Sequence, residues 1–367
     1  MTCKPSRRQL FEQSVLGAAM LRGRPLPTQS VTPATAPTRE ALATLINGYQ
    51  TSQMLHVVAK LRIADLLKDG PRSAADLAVA AGAQEDALYR VMRTLASLGI
   101  FSEMQGRRFE LNPAAQYLRS DAPGSLRVLA EIVGEEWMWR PWGALVETAR
   151  TGTTAFNSLY GEGTFDWFAK HPEAGRLFDA GQAGATSASA KAVIDAYDFS
   201  KVRMVVDIGG GDGTLLASVL RANPASTGVV FDLPGVVEAA RATFDRSAIA
   251  RADFIGGNFF AAVPTGAELY LMKLILHDWS DEDCQRILVN VRRAMVATSR
   301  LLVAEDLVCG PNQPCPAKQR DINMLVRTGG RNRTEQEYRD VLTRGGFRTT
   351  RVIATASTLF LLEALPA

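Results

Sequence analysis

The chain has 367 residues, of which 47% are hydrophobic and 22% are charged, a composition typical of a folded protein rather than a disordered one. No stretch reaches the roughly 18 consecutive apolar residues that a membrane-spanning helix needs, so we expect no membrane partner. Forty-one basic against 38 acidic residues give a net charge of +3, which is too balanced for a protein that depends on a strong phosphate-binding field.

Residues 1–37 are predicted to form a flexible extension in front of the fold. The segment 6–11 resembles the start of a twin-arginine export signal, but the apolar stretch behind it is short and several prolines follow. A disordered extension of a cytoplasmic protein is the simpler interpretation. No two of the four cysteines have CxxC spacing, so we expect all of them to be reduced. They are Cys3, Cys284, Cys309 and Cys315.

Residues 38–125 are predicted to form a small winged-helix-like domain. Apolar residues recur at three- and four-residue spacing over 42–61, and three shorter helices and a β-ribbon around Gln105 follow. Such a domain could read DNA, which leaves a DNA-binding regulator as one alternative. Residues 62–119 carry eight basic and seven acidic side chains, however, so the charge favours packing or dimerisation over nucleic acid binding.

Residues 126–200 are predicted to be helical and are rich in aromatic side chains. Four of the five tryptophans of the chain lie here. Such aromatic density could line a pocket for a flat substrate, or it could be ordinary core between helices. The sequence leaves both interpretations open for any one residue.

Residues 201–367 are predicted to form a doubly wound α/β sheet with ligands at the carboxyl ends of its strands. The strand 204–206 leads into Asp207 and the loop DIGGGDG over 207–213. This GxGxG spacing suits a ligand with an amino-acid moiety and an adenosine better than a dinucleotide. Asp232 ends the next strand, where a carboxylate can bind a ribose diol. Further strands are expected at 253–255, 268–276, 300–304, 347–353 and 359–363.

One histidine of three is well placed for catalysis. His56 and His171 lie in the helical regions, whereas His277 follows a central strand. A histidine there can remove a proton near neutral pH, and the deprotonated oxygen could attack an electrophilic methyl group. Glu305, at the end of the next strand, could hold the imidazole. No cluster of His, Cys or carboxylate residues has ligand spacing, so we expect no metal.

Four motifs together resemble the S-adenosylmethionine-dependent O-methyltransferases, both the plant caffeate and flavonoid enzymes and the bacterial natural-product enzymes. The motifs are VDIGGGDG at 206–213, FDLP at 231–234, LHDWSDE at 276–282 and GGRNRT at 329–334. The resemblance covers roughly residues 40–367. It implies a Rossmann-like class I methyltransferase sheet and a homodimer formed through the winged-helix domain. It also implies S-adenosyl-L-methionine as cofactor and S-adenosyl-L-homocysteine as product.

The resemblance also implies roles for individual residues. It gives His277 as general base and Glu305 as one of two flanking acidic residues. Asn332 stands where the second acidic residue is usual, Asn258 replaces an aspartate beside adenine, and Gln182 replaces a substrate-clamping methionine. The residues implied to contact the cofactor are Gly209, Gly211, Asp232, Leu233, Asn258, Phe259, Lys273 and Thr186.

The expected function is methylation of a hydroxyl on an aromatic or polyketide-like small molecule. His277 takes the proton of the hydroxyl. Glu305 orients the imidazole of His277, and Asn332 supports this arrangement. Because Asn332 lacks a charge, a relative that binds the cofactor but performs hydroxylation or cyclisation remains an alternative. The sequence does not identify the acceptor.

Overall fold

The computed structural model describes residues 36–244 and 248–367. The twin-arginine-like segment and Cys3 lie outside the described residues. Among those described, no helix combines the length and the hydrophobicity that crossing a membrane requires.

The N-terminal part has the predicted order of helices followed by a β-ribbon. Ser73 and Asp76 form a capping box at the start of α4, and the side chains of Leu77, Met92 and Phe109 are fully buried. The three short strands pair in the order β1-β3-β2. The elements are α1 (Arg39–Ile46), α2 (Gly48–Lys60), α3 (Ile63–Leu66), β1 (Arg72–Ser73), α4 (Ala74–Ala81), α5 (Glu85–Ser97), β2 (Ser102–Met104), β3 (Arg108–Glu110) and α6 (Pro113–Gln116).

The helix expected over 42–61 is interrupted. Asn47 lies between α1 and α2, and its side-chain amide donates to the carbonyl of Ala43 at 3.0 Å. An asparagine side chain that bonds nearby backbone competes with helix continuation, which accounts for the break.

Residues 127–196 form six helices that carry the aromatic side chains. Trp137, Phe156 and Phe168 are buried together, whereas Trp139 and Trp142 are more than one-third exposed. Most of this density is therefore core between helices. The helices are α7 (Arg127–Ile132), α8 (Glu136–Gly143), α9 (Leu145–Thr151), α10 (Ala155–Tyr160), α11 (Thr164–Lys170) and α12 (Pro172–Ala196).

The C-terminal part is a seven-stranded sheet in the order β6-β5-β4-β7-β8-β10-β9. Strands β4 to β8 are mutually parallel, and β10 runs antiparallel to both of its neighbours. The elements are β4 (Met204–Ile208), α13 (Thr214–Ala222), β5 (Thr227–Asp232), α14 (Pro234–Thr243), β6 (Ala252–Gly256), β7 (Leu269–Lys273), α15 (Asp281–Ala294), β8 (Arg300–Asp306), α16 (Pro316–Arg327), α17 (Glu335–Arg344), β9 (Phe347–Ala354) and β10 (Leu359–Pro366). Because parallel strands end at the same edge, Asp207, Asp232, Lys273 and Glu305 all reach that edge.

Strand β7 is shorter than the sequence pattern predicts. It ends at Lys273, because Leu274 has a φ of +53° and turns the chain out of the sheet. A short 3-10 turn over Leu276–Asp278 follows. His277 therefore lies on a turn beyond the strand rather than directly at its end.

The expectation of reduced cysteines is wrong for one pair. Cys309 and Cys315 form a disulfide in the loop between β8 and α16, with their Cα atoms 6.3 Å apart. That separation lies within the range that a disulfide spans. The loop turns back on itself at Gly310–Gln313, and this turn brings together two residues that lack CxxC spacing. Cys284 is free and buried.

Candidate active site

The glycine loop and Asp232 are joined by hydrogen bonds. The Asp232 carboxylate accepts from the backbone amides of Gly211 at 2.9 Å and Leu233 at 2.7 Å. Burial raises the pKa of Asp232. Gly211 has a φ of +57°, and a Cβ at this position would meet nothing within 4 Å. The loop therefore presents bare backbone beside a carboxylate whose remaining lone pairs can accept further hydrogen bonds.

Buried Asp207 and half-buried Lys273 interact electrostatically at this edge of the sheet. Burial raises the pKa of Asp207 to about 7, with Lys273 opposing the shift. Burial lowers the pKa of Lys273 to about 8, with Asp207 opposing it. The Lys273 ammonium donates to the Thr186 hydroxyl of α12 at 3.0 Å. One oxygen of Asp207 is buried without a hydrogen-bond partner among the described residues.

The other predicted cofactor residues lie around this centre. Leu233 and Asn258 are exposed, and the Asn258 side chain accepts from the backbone amide of Phe260 at 2.9 Å. Phe259 is half-buried against Trp279. Gln182 is exposed on α12. The same helix brings Asp179 to this edge, where burial and the charges of Asp232 and Asp212 raise its pKa to about 6.

His277 and Glu305 are brought together in a buried site. Nδ1 of His277 lies 3.1 Å from Oε2 of Glu305, but the geometry at both atoms is not that of a hydrogen bond. The contact is therefore electrostatic. The other oxygen of Glu305 accepts from the backbone amides of Ile275 at 3.1 Å and His277 at 3.3 Å. One carboxylate thus fixes the backbone turn and also faces the imidazole.

Asp278 is a second carboxylate beside the imidazole, and sequence reasoning missed it. Its Oδ2 lies 3.7 Å from Nε2 of His277. Burial disfavours the imidazolium, but the charges of Glu305 and Asp278 outweigh it and raise the pKa of His277. Burial raises the pKa of Asp278 itself. The signal was its place directly after the histidine, in a motif that also contains two other acidic residues.

Asn332 is held beside the end of β8 by hydrogen bonds. It is buried, and its side-chain amide donates to the backbone carbonyl of Asp306 at 3.4 Å. Its backbone amide donates to Asp321 at 2.9 Å. Among the described residues, no hydrogen bond joins Asn332 to His277. The supporting role of Asn332 therefore stays a prediction, and the contacts of its side chain lie at the adjacent strand end.

The GGRNRT motif holds the turn that carries His277. A Cβ on Gly330 would lie 2.1 Å from the carbonyl oxygen of His277, so only glycine allows this close approach. Buried Arg333 donates to the carbonyl of Leu276 at 2.9 Å, to that of Trp279 at 3.0 Å and to Asp281. The motif therefore holds His277 in place through the backbone.

Aromatic side chains from the helices reach the same turn. Phe165 stacks on Trp279 with ring centroids 5.6 Å apart, and Phe178 stacks on Phe168 at 5.0 Å. Buried Arg327 lies over the Phe178 ring at 5.1 Å. Sequence reasoning also missed Arg327, although a charged residue directly after the apolar run 324–326 was a usable signal. Within the described ranges, no three His, Cys, Asp or Glu side chains form a group that could hold a metal ion.

The strand order and the position of the site define a class I methyltransferase, which uses S-adenosylmethionine and yields S-adenosylhomocysteine. More specifically, the chain belongs to the O-methyltransferase family with an N-terminal dimerisation domain. The model of the O-methyltransferase domain matches residues 142–348, and that of the O-methyltransferase dimerisation domain matches residues 43–121.

Relatives with stated activities are similar over nearly the whole chain. A phenazine O-methyltransferase of Lysobacter antibioticus is 42% identical, over 90% of this chain and 97% of that protein. A phenazine-1-carboxylate N-methyltransferase of Pseudomonas aeruginosa is 31% identical, over 85% of this chain and 92% of its own. The crystal structure of LaPhzM has a TM-score of 0.88 at 41% identity, covering 90% of this chain and 100% of that one. Other similar structures contain S-adenosylmethionine or S-adenosylhomocysteine.

Proposed function

We propose that the protein transfers a methyl group from S-adenosylmethionine to a hydroxyl of an aromatic natural product, with His277 as general base. The observation that carries the proposal is the buried imidazole between Glu305 and Asp278, at the strand edge where the glycine loop and Asp232 lie. The names of the relatives, several of which act on fused or substituted aromatic rings, support the acceptor class.

The residues at the strand edge fit the cofactor. The unpartnered oxygen of Asp207 and the ammonium of Lys273 can bind the amino and carboxylate groups of its amino-acid moiety. Asp232 can accept hydrogen bonds from the ribose hydroxyls. The other residues proposed to contact the cofactor are Thr186, Gly209, Leu233, Asn258 and Phe259. When bound, the cofactor supplies an electrophilic methyl group on a sulfonium.

The roles of the protein groups follow from their charges. Nε2 of His277 takes the proton of the acceptor hydroxyl, while Glu305 faces Nδ1 and stabilises the imidazolium that forms. Asp278 adds a second negative charge near the imidazole. Phe165, Trp279 and Phe178 position the acceptor ring and exclude water, because positioning accounts for much of the rate of such a transfer.

Methylation of nitrogen is a second candidate, because two relatives, an 8-amino-8-demethylriboflavin N,N-dimethyltransferase and the phenazine-1-carboxylate N-methyltransferase, act on nitrogen. A ring nitrogen already carries a lone pair and needs no base. The histidine between two carboxylates is therefore better suited to a hydroxyl acceptor. Chemistry without methyl transfer is the third candidate, and the absence of an acidic residue at position 332 is its remaining support.

The proposal is tested with methyl-labelled S-adenosylmethionine and a panel of phenols, hydroxyquinones and hydroxyphenazines. We expect labelled product with O-methylation assigned by NMR. His277→Ala should lower kcat by roughly 100- to 10,000-fold and leave the calorimetric Kd for S-adenosylhomocysteine unchanged. His171→Ala, which alters an exposed histidine, is the matched control. Full turnover by His277→Ala, label on nitrogen, or unlabelled product would each reject the proposed reaction.

We also propose that the protein works as a homodimer formed through the N-terminal part. The match to a dimerisation domain supports this. So do the large apolar side chains exposed on α1 and at the start of α2, which are Leu42, Leu45, Ile46 and Tyr49.

A further inference from the structure

Arg327 is a buried cation whose guanidinium has no hydrogen-bonded or ion-paired partner among the described residues. It is 4% exposed, and Nε and Nη2 of its guanidinium are buried without a hydrogen bond. Within the described parts of the chain, no carboxylate lies within ion-pair distance of it. Burial lowers the pKa of Arg327 to about 10, with Asp278 opposing the shift, so the side chain stays charged at neutral pH.

The only other buried arginine among the described residues, Arg333, has the hydrogen bonds expected of a structural arginine. Arg333 is 1% exposed, and its guanidinium donates to Leu276, Trp279, Arg331 and Asp281. A buried charge with no such bonds is costly to the folded state. Burial of the Arg327 charge is unfavourable for folding, and no hydrogen bond or ion pair among the described residues offsets it. This is typical of a group that binds a ligand.

The surroundings of Arg327 place it beside the reacting groups. Its guanidinium lies over the Phe178 ring and within the electrostatic field of Asp278, whose carboxylate lies 3.7 Å from His277. Its backbone carbonyl accepts from the Thr164 hydroxyl at 2.6 Å. That bond ties the end of α16 to α11, the helix that carries Phe165. Arg327 therefore lies between the aromatic side chains and the turn that bears the base.

We propose that Arg327 binds a carboxylate on the aromatic acceptor, so that the preferred substrate is a hydroxyarene carboxylic acid. This inference rests on the proposed function. Nε and Nη2 form one edge of the guanidinium, and this edge can donate two parallel hydrogen bonds to a carboxylate. The planar ring lies against the aromatic side chains while its carboxylate neutralises the buried cation.

The test uses pairs of hydroxyphenazines and hydroxynaphthalenes that differ only in one ring carboxylate. Binding is measured by calorimetry with the protein saturated by S-adenosylhomocysteine, so that no turnover occurs. We expect Arg327→Gln to weaken binding of the carboxylated member roughly 10- to 100-fold and to leave binding of the uncharged member unchanged. Arg327→Lys keeps the charge but loses the fork and should give an intermediate loss. Arg150→Gln, at an exposed arginine of α9, should bind both members as the wild type does.

The outcomes separate this inference from the proposed function. Arg327-dependent binding without a methylated product would leave the carboxylate site standing and reject the reaction. Methyl transfer with equal binding of both members by Arg327→Gln would reject the carboxylate site alone, as would a wild type with no preference within any pair. A structural arginine would lower the thermal midpoint when replaced, whereas we expect Arg327→Gln to keep or raise it. If Arg327→Gln does not fold, Arg327→Lys tests the proposal instead. Weaker binding of the carboxylated member alone would support the carboxylate site, and unchanged binding would reject it.

Discussion

At the scale of single residues, the proposed reaction depends on His277 being neutral when the acceptor binds. Glu305 and Asp278 work against this at low pH, because their charges stabilise the imidazolium. The same charges stabilise the imidazolium when it forms during proton transfer. In the proposed reaction, the two carboxylates therefore make His277 a stronger base, and they also keep it protonated and inactive at low pH.

We expect kcat/KM to fall with decreasing pH through an apparent pKa above 6.5, the ordinary value for histidine. Glu305→Gln removes one of the charges that raise it, so the acid limb should move to lower pH and kcat should fall. Rates measured from pH 5 to 9 test this. Glu282→Gln, at an exposed position of α15, should keep the wild-type profile. An acid limb that stays in place in Glu305→Gln would mean that Glu305 does not control the titration.

The raised pKa of His277 also couples folding to pH. Because the folded-state pKa lies above the unfolded value, its contribution to stability is fully present below about pH 6.5. That contribution is lost as the pH rises through the folded-state pKa.

The sequence predicted His277 and Glu305 because both follow strands of one parallel sheet, whose ends must meet. It did not predict that Asp278 faces the imidazole, because that contact depends on the 3-10 turn after Leu274. Nor did it predict the position of Arg327, which depends on how the end of α16 packs against the helices that carry Phe165 and Phe178. The roles of all these residues remain predictions until variants are measured.

At the scale of elements, the sequence predicted the helix starts that have a capping side chain and most of the strands. It did not predict the breaks within elements or the disulfide. Ser73 and Ser280 begin helices as their sequence context indicates. The break at Asn47 and the early end of β7 depend on single backbone turns that periodicity does not encode. The Cys309–Cys315 bond depends on the path of a loop.

The disulfide in the loop between β8 and α16 should be measurable in solution. A bond that closes so short a loop stabilises the folded state by about 2 kcal/mol in the chain-entropy model. We therefore expect dithiothreitol to lower the thermal midpoint of the wild type and to leave that of the Cys309→Ser/Cys315→Ser double variant unchanged. Alkylation of the unfolded, unreduced protein followed by mass spectrometry should leave both cysteines unlabelled. Label on both in protein purified without reductant would contradict the pairing.

At the scale of the whole molecule, the exposed apolar side chains of α1 and α2 need a partner surface. Patches of this kind mark sites of association in soluble proteins. The predicted boundaries at residues 37, 125 and 200, and the expectation that no nucleic acid binds, remain predictions.

We expect Leu45→Glu/Ile46→Glu to convert the protein from dimer to monomer. The introduced glutamates would be buried at the interface without partners, and burying an unpaired charge is costly. Light scattering after gel filtration measures the mass directly. Val79→Glu, at an apolar residue of α4 that is 85% exposed, should leave the dimer intact. A double variant that stays dimeric would place the interface elsewhere.

The donor side and the acceptor side of the site come from different stretches of the chain. The strand ends supply the groups proposed for the cofactor, whereas the aromatic side chains come mostly from α11 and α12, and the two meet where Thr186 bonds Lys273. A lineage can therefore change the aromatic side chains of these helices and acquire a new acceptor, provided that Thr186 is kept to bond Lys273. Chimeras that graft these helices from one relative onto the sheet of another are the natural route to redirecting this enzyme.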